Sequence, residues 1–321
     1  MAHILALLMS GRRKGYTAGL WQAAIEGAKA VEGVAVEAVH AHDYQFGPCI
    51  SCFACIRRPE DYCVLDDDMG RRGEGALFQK VREANGLLIA EPVHMWGSCA
   101  QTHLFIERLY PLGWTGELSG MPAMTISCAS NQGMQHLAAR TLARWCFCSN
   151  FRYVGGLSAH TAFYEEARNR ARYLGKKLAQ AALKDKEERK LLSDEEKWLA
   201  YMDKPWNALL PYLENLTRGT LRAEESLIEY GLSQGTFQRE EARQCLERAR
   251  EPMQRAIAAW RLKDYEAAQR HLLAASALWT RATWLEFLEE DVIRAKQPSV
   301  YRPLPDEDES LACSFQPTEV S

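Results

Sequence analysis

The chain has 321 residues, 47% of them hydrophobic and 25% charged, enough apolar material for one large domain with an extension or for two domains. That composition excludes a disordered or fibrous protein. The 39 Lys+Arg set against 42 Asp+Glu leave a formal net charge of −3, without the basic excess that marks a nucleic-acid binder.

Residues 3–9 form a short apolar run, which predicts a first strand. It breaks at Ser10 into a polar loop ending at Thr17, and residues 18–31 follow with helical spacing. Further strands are predicted at 34–39, 86–90, 122–128 and 151–157, the third ending at Glu91-Pro92. Helices are expected at 78–83, 101–110, 133–148 and from the fifth strand to about residue 183. Five apolar strands alternating with helices specify an α/β fold, a doubly wound parallel sheet, because each crossover helix must pack back onto the sheet. This fills residues 1–184. Residues 185–296 read as an all-helical extension, with a capping sequence at Ser193-Asp194-Glu195-Glu196 and helices at 222–230, 239–250, 253–261 and 265–288. The Trp residues at 260, 279 and 284 fall on these helices and are expected to pack in a core or an interface rather than form a cofactor box. Residues 297–321, proline-rich and acidic, are expected to be a disordered tail.

No stretch reaches 18 apolar residues, and residues 1–9 lack the charged region and cleavage site of a signal peptide. The expectation is a cytoplasmic protein that meets neither membrane nor nucleic acid.

An open parallel sheet binds ligands at the carboxyl ends of its strands, so three loops carry the functional reading. The first holds Ser10, Arg12, Gly15, Tyr16 and Thr17 just before a helix, where free N–H groups and the helix dipole favour a phosphate. It carries neither G-x-x-x-x-G-K-[ST] nor G-x-G-x-x-G, which counts against nucleoside triphosphates and ordinary dinucleotide binding. The second, Pro92, Val93, His94, Met95, Trp96, Gly97 and Ser98, offers flat and polarizable side chains that can flank a ring. The third, from Ser127 through Asn131 to Gly133, offers small residues and amides.

Four of the ten cysteines fall within fifteen residues: Cys49, Cys52, Cys55 and Cys63. Thiolates two residues apart can wrap one iron–sulfur cubane, a tetrahedral zinc ion is the rival, and a loop without metal is the third reading. The remaining cysteines are scattered, and the histidines form no spaced ligand set. No Ser/His/Asp arrangement is legible.

Together these residues give the chain its resemblance to the flavodoxin-like NAD(P)H-dependent FMN reductase superfamily. The matches are Ser10, Arg12, Gly15 and Thr17 in the first loop and Pro92, Val93, Gly97 and Ser98 in the second, while His94 stands where the family usually has tyrosine. The resemblance spans about residues 1–180. It implies FMN, with its phosphate at Ser10–Thr17 and its ring between the other two loops, Trp96 providing a lid. The cysteine segment resembles that of the iron–sulfur flavoprotein branch. This implies a 4Fe-4S cluster on Cys49, Cys52, Cys55 and Cys63, electron exchange between cluster, FMN and a small-molecule or protein redox partner, and a homodimer or homotetramer in which cluster loop and flavin meet across subunits. A clusterless NAD(P)H-dependent reductase of flavin, quinones or nitro compounds is the alternative. A flavodoxin-like scaffold carrying a helical partner-binding module is the second.

Overall fold

A computed structural model describes residues 1–202 and 208–287 of the chain. Two compact units divide it, residues 1–191 and the residues from Leu192 onward.

In the first unit, strand β1 (Ala2–Leu8) leads to helix α1 (Tyr16–Lys29), β2 (Val34–His40) and a long irregular segment holding the short α2 (Ala54–Arg57). Then come α3 (Ala76–Glu83), β3 (Gly86–His94), a two-residue β4 (Gly97–Ser98), α4 (Ala100–Arg108) and α5 (Tyr110–Thr115). β5 (Pro122–Ala129), α6 (Gln135–Cys148), β6 (Arg152–His160) and α7 (Tyr164–Lys184) complete the unit. The main sheet runs β2-β1-β3-β5-β6, all pairs parallel, with β4 antiparallel to β3. This is the flavodoxin-like order, and the strand sequence reverses between β1 and β3.

The central strands are apolar along their whole length because both faces are covered. One face packs Ile4, Ala6, Leu88 and Ile126 against α1 and α7; the other packs Leu5, Leu7, Leu87 and Ile89 against α3 to α6. α1 and α7 cross at backbone distance. A Cβ on Gly27 would lie 2.0 Å from the Arg172 carbonyl oxygen, and one on Gly175 would lie 1.9 Å from that of Ala24. Only glycine fits at either position.

The second unit contains α8 (Asp194–Met202), α9 (Leu209–Leu216), α10 (Leu227–Ser233), α11 (Glu240–Arg261) and α12 (Tyr265–Phe287) around a core of residues such as Leu213, Leu246, Met253 and Leu272. Its capping box forms as the sequence suggests: Glu196 N–H donates to Ser193 Oγ at 3.1 Å, and Ser193 N–H donates to Glu196 Oε2 at 2.8 Å. Trp260 and Trp279 pack against this core.

Two helical expectations need correction. The helix expected at 222–230 is a single turn of 3-10 helix at Ala223–Glu225 followed by α10, because the Ser226 side chain caps the new helix at Glu229. The expected break between residues 250 and 253 is absent, and α11 runs through Pro252. Ala249, Met253, Ala256 and Ile257 are all buried, and that burial outweighs the hydrogen bond proline removes. The tail expected at 297–321 lies outside the described residues. Among the described residues no helix is long and apolar enough to cross a membrane.

Candidate functional site

The three loops picked out from sequence leave the carboxyl ends of β1, β3 and β5, which are adjacent strands in the sheet. In the first loop Gly15 precedes α1 with φ 139°, a conformation strained for any other residue, and no side chain caps the helix. The first N–H groups of α1 are therefore open to an anion. Ser10 is buried, its Oγ accepting the Arg12 N–H at 3.1 Å, and Thr17, in the first turn of α1, is buried as well. Arg13 is ion-paired to Asp43, whereas Arg12 and Lys14 are exposed. His40 lies behind the loop, and burial pushes it below its ordinary value of 6.5.

The second loop is shorter than the sequence implies, because β3 continues past Pro92 to His94 and turns back through β4. Val93 pairs with Ser98 and His94 with Gly97, leaving Met95 and Trp96 as a two-residue turn. Both have positive φ, 48° and 66°, as the mirror-image hairpin turn demands. They stand out from the surface, 99% and 57% exposed.

The third loop turns at Asn131, Gly133 and Met134, all with positive φ. His160 Nε2 at the end of β6 lies 3.1 Å from the Asn131 carbonyl oxygen. Beside it opens a cavity of about 720 Å³ lined by Gly133, His136, Arg140, His160, Phe163 and other residues of α6, β6 and α7.

Ser98 and Ser127, both read from sequence as lining a ligand site, point instead to a third residue. Ser98 Oγ donates to Glu91 Oε1 at 2.9 Å and Ser127 Oγ donates to the same oxygen at 3.0 Å. Glu91 has no solvent exposure, and burial raises its carboxyl to about 7 against the partial relief of Thr102, Ser98, Ser127 and the Cys99 N–H. Sequence reasoning alone misses Glu91, which reads there only as the end of a strand. The signal that could find it is a carboxylate inside an apolar strand run.

Cys49, Cys52, Cys55 and Cys63 all line one cavity of about 360 Å³, closed by Glu107, Arg108 and Tyr110. Cys49 and Cys52 are exposed, while Cys55 and Cys63 are half-buried. Burial, reinforced by the neighbouring Cys63, Cys49 and Cys52 thiols, pushes Cys55 up to about 12. Ser51 and Phe53, between the first three, take positive φ. The thiols share the cavity without converging on a point: among the described residues no three His, Cys, Asp or Glu side chains are arranged to hold a metal ion. The donor set, four reduced thiols on one cavity, nevertheless suits a thiolate-ligated cluster.

Arg108 fixes this loop at both ends. It is 1% exposed, makes a two-pronged contact to Asp67 at 2.6 and 2.7 Å, and donates to the Gly47 carbonyl at 2.9 Å and to Cys63 Sγ at 3.2 Å. Nothing in the local spacing marks Arg108 or Asp67, because their pairing spans 41 residues.

Residues 2–163 match the family described as NADPH-dependent FMN reductase. The chain is similar to an iron-sulfur flavoprotein of Methanosarcina thermophila, 36% identical over 86 residues, covering 27% of this chain and 41% of that protein. It is also similar to one of Methanocaldococcus jannaschii, 30% identical over 109 residues, covering 34% of this chain and 52% of that protein. The chain thus spans about half the length of these curated relatives or less. Among solved structures, a flavone reductase superposes with TM-score 0.44 at 18% identity, covering 60% of this chain and 66% of that one.

Proposed function

The chain belongs to the NADPH-dependent FMN reductase family, and on that premise we propose that it is an FMN-dependent oxidoreductase of the iron–sulfur flavoprotein type. The observation that carries the reading is the coincidence of three ligand-ready loops at the sheet's reversal point with four cysteines lining a single cavity.

Bound FMN would supply hydride and single-electron chemistry, and the protein's part is to bind, orient and insulate. Ser10, Arg12, Gly15, Tyr16 and Thr17 would hold the phosphate at the open start of α1. Pro92, Val93, His94, Met95, Trp96, Gly97 and Ser98 would border the ring on one side, with Ser127, Asn131 and Gly133 on the other. Ser98 and Ser127 act here indirectly, since their hydroxyls hold Glu91 and so fix the backbone of both loops. Cys49, Cys52, Cys55 and Cys63 would hold a 4Fe-4S cluster, with the buried Arg108 balancing thiolate charge at Cys63. NAD(P)H is the expected hydride donor, and a small molecule or protein completes the exchange. The free state of every described cysteine accords with a reducing compartment such as the cytoplasm. The exposed Met95, Trp96, Ile50 and Phe53 favour a homodimer or homotetramer that covers them.

The test is anaerobic purification followed by counting FMN, iron and acid-labile sulfide per chain. About one FMN with about four iron and four sulfide is expected, and Cys52→Ser should keep FMN while losing the cluster's visible absorbance. Stoichiometric FMN without iron would leave a clusterless flavin reductase, and protein without flavin would overturn the reading altogether.

A further inference from the structure

Glu91 is a glutamate where the fold has least use for a charge. It lies inside β3, the strand beside the reversal point, fully buried, three residues before the strand ends at His94 and directly before Pro92, the first residue assigned to the flavin ring. Its Oε1 is held by one hydroxyl from each of two ring-bordering segments, Ser98 and Ser127. Its Oε2 is equally buried and has no partner in close hydrogen-bond geometry, only the weaker relief of the Thr102 hydroxyl and the Cys99 N–H. Among the described residues it makes no salt bridge. The titratable groups that face it are the Cys99 thiol at the head of α4 and the Tyr153 phenol on β6, and burial pushes both upward, so both are neutral near pH 7. Thr102 of α4 contributes a hydroxyl and no charge.

A fully buried carboxylate held only by neutral donors, with no cation beside it, is costly, and protonation relieves it. Added negative charge nearby makes protonation more favourable still. Resting on the FMN reading above, we propose that Glu91 is a positioning residue that binds a proton when FMN is reduced, joining electron arrival at the ring to proton uptake in the protein interior. The balance is simple. Reduction takes two electrons and the ring's own proton from the donor or solvent, one further proton from solvent forms an O–H bond at the Glu91 carboxylate, and reoxidation releases both protons. The Ser98 and Ser127 hydroxyls stay on Oε1 throughout, so the two loops keep their places while the charge beneath them changes.

The experiment uses the full FMN-loaded chain and its Glu91→Gln variant, which keeps an oxygen for both serines. The midpoint potential of bound FMN is measured from pH 7 to 8 with dithionite as reductant. One extra proton per two electrons is a tenfold change in equilibrium constant per pH unit, about 30 mV. The wild-type potential should therefore fall more steeply with pH than the variant's, by up to that amount, while both proteins bind FMN. Equal slopes with FMN bound would overturn the proposal and leave the flavin assignment standing. A chain that binds no FMN would instead overturn the functional reading beneath it. Should Glu91→Gln not fold, infrared difference spectra of wild type labelled with ¹³C-glutamate decide the matter: reduction must produce a protonated-carboxyl band that shifts with the label, and its absence refutes the proposal.

Discussion

A single buried carboxyl sets a pH dependence for the whole first unit. Glu91 ordinarily ionises near 4.5, and in the folded protein it does so at about 7. Between those values the folded state binds a proton that the unfolded chain releases, so Glu91's contribution to stability is fully present below about 4.5 and is lost as pH rises through about 7. A tenfold difference in proton affinity between the two states is worth about 1.4 kcal/mol, so the loss is on the order of 1–3 kcal/mol. Chemical unfolding of the FMN-free protein at pH 5 and pH 8 should show this decline, and Glu91→Gln should flatten it; an unchanged slope would mean the carboxyl is charged at pH 5. Residues of this kind are hard to read in sequence, since Glu91 looks like a strand terminus until its neighbours on β4 and β5 are known. The four cysteines are legible because their spacing is local, and Gly15 because it falls with Ser10, Arg12 and Thr17 in one short loop that resembles the family's.

Elements are legible in proportion to how local their causes are. All five main strands and their order of alternation with helices follow from apolar periodicity, and the parallel sheet follows from the crossovers. The hairpin of β3 and β4 escapes a sequence reading because proline usually ends a strand, and α11 reads as two helices because Pro252 usually ends one; in both cases tertiary packing overrides the local signal. The cysteine segment depends on packing of the same distant kind. Arg108, on α4, is the buried clip between Gly47 before the cysteines and Asp67 after them. Replacing it with methionine leaves Asp67 without its cation, at a cost of about 3–5 kcal/mol, and frees the loop. Arg108→Met should lower the melting temperature and abolish iron retention, while FMN, assigned above to loops on other strands, should stay bound. Iron retained at the wild-type level would show that the cysteine loop keeps its shape without the clip.

At the scale of the whole molecule, the first unit presents apolar side chains where its site opens. Trp96, Met95, Ile50 and Phe53 all belong to the segments assigned to flavin or cluster, which is the pattern expected of surface covered by a second copy. Light scattering should give a mass of at least twice 36.4 kDa, and Trp96→Arg should shift it toward the single chain. A protein that is monomeric at all concentrations would remove the case for a shared site. The tip of that hairpin carries one more consequence. Turns of its class favour Asn-Gly, yet this one is built from methionine and tryptophan, each held at positive φ at a cost on the order of 1 kcal/mol. The pair Met95→Asn with Trp96→Gly should raise the melting temperature by a few degrees and weaken FMN binding. The hairpin is in that sense under-optimised as a turn, and the shortfall measures how much the molecule has traded away to keep two large side chains at its doorway.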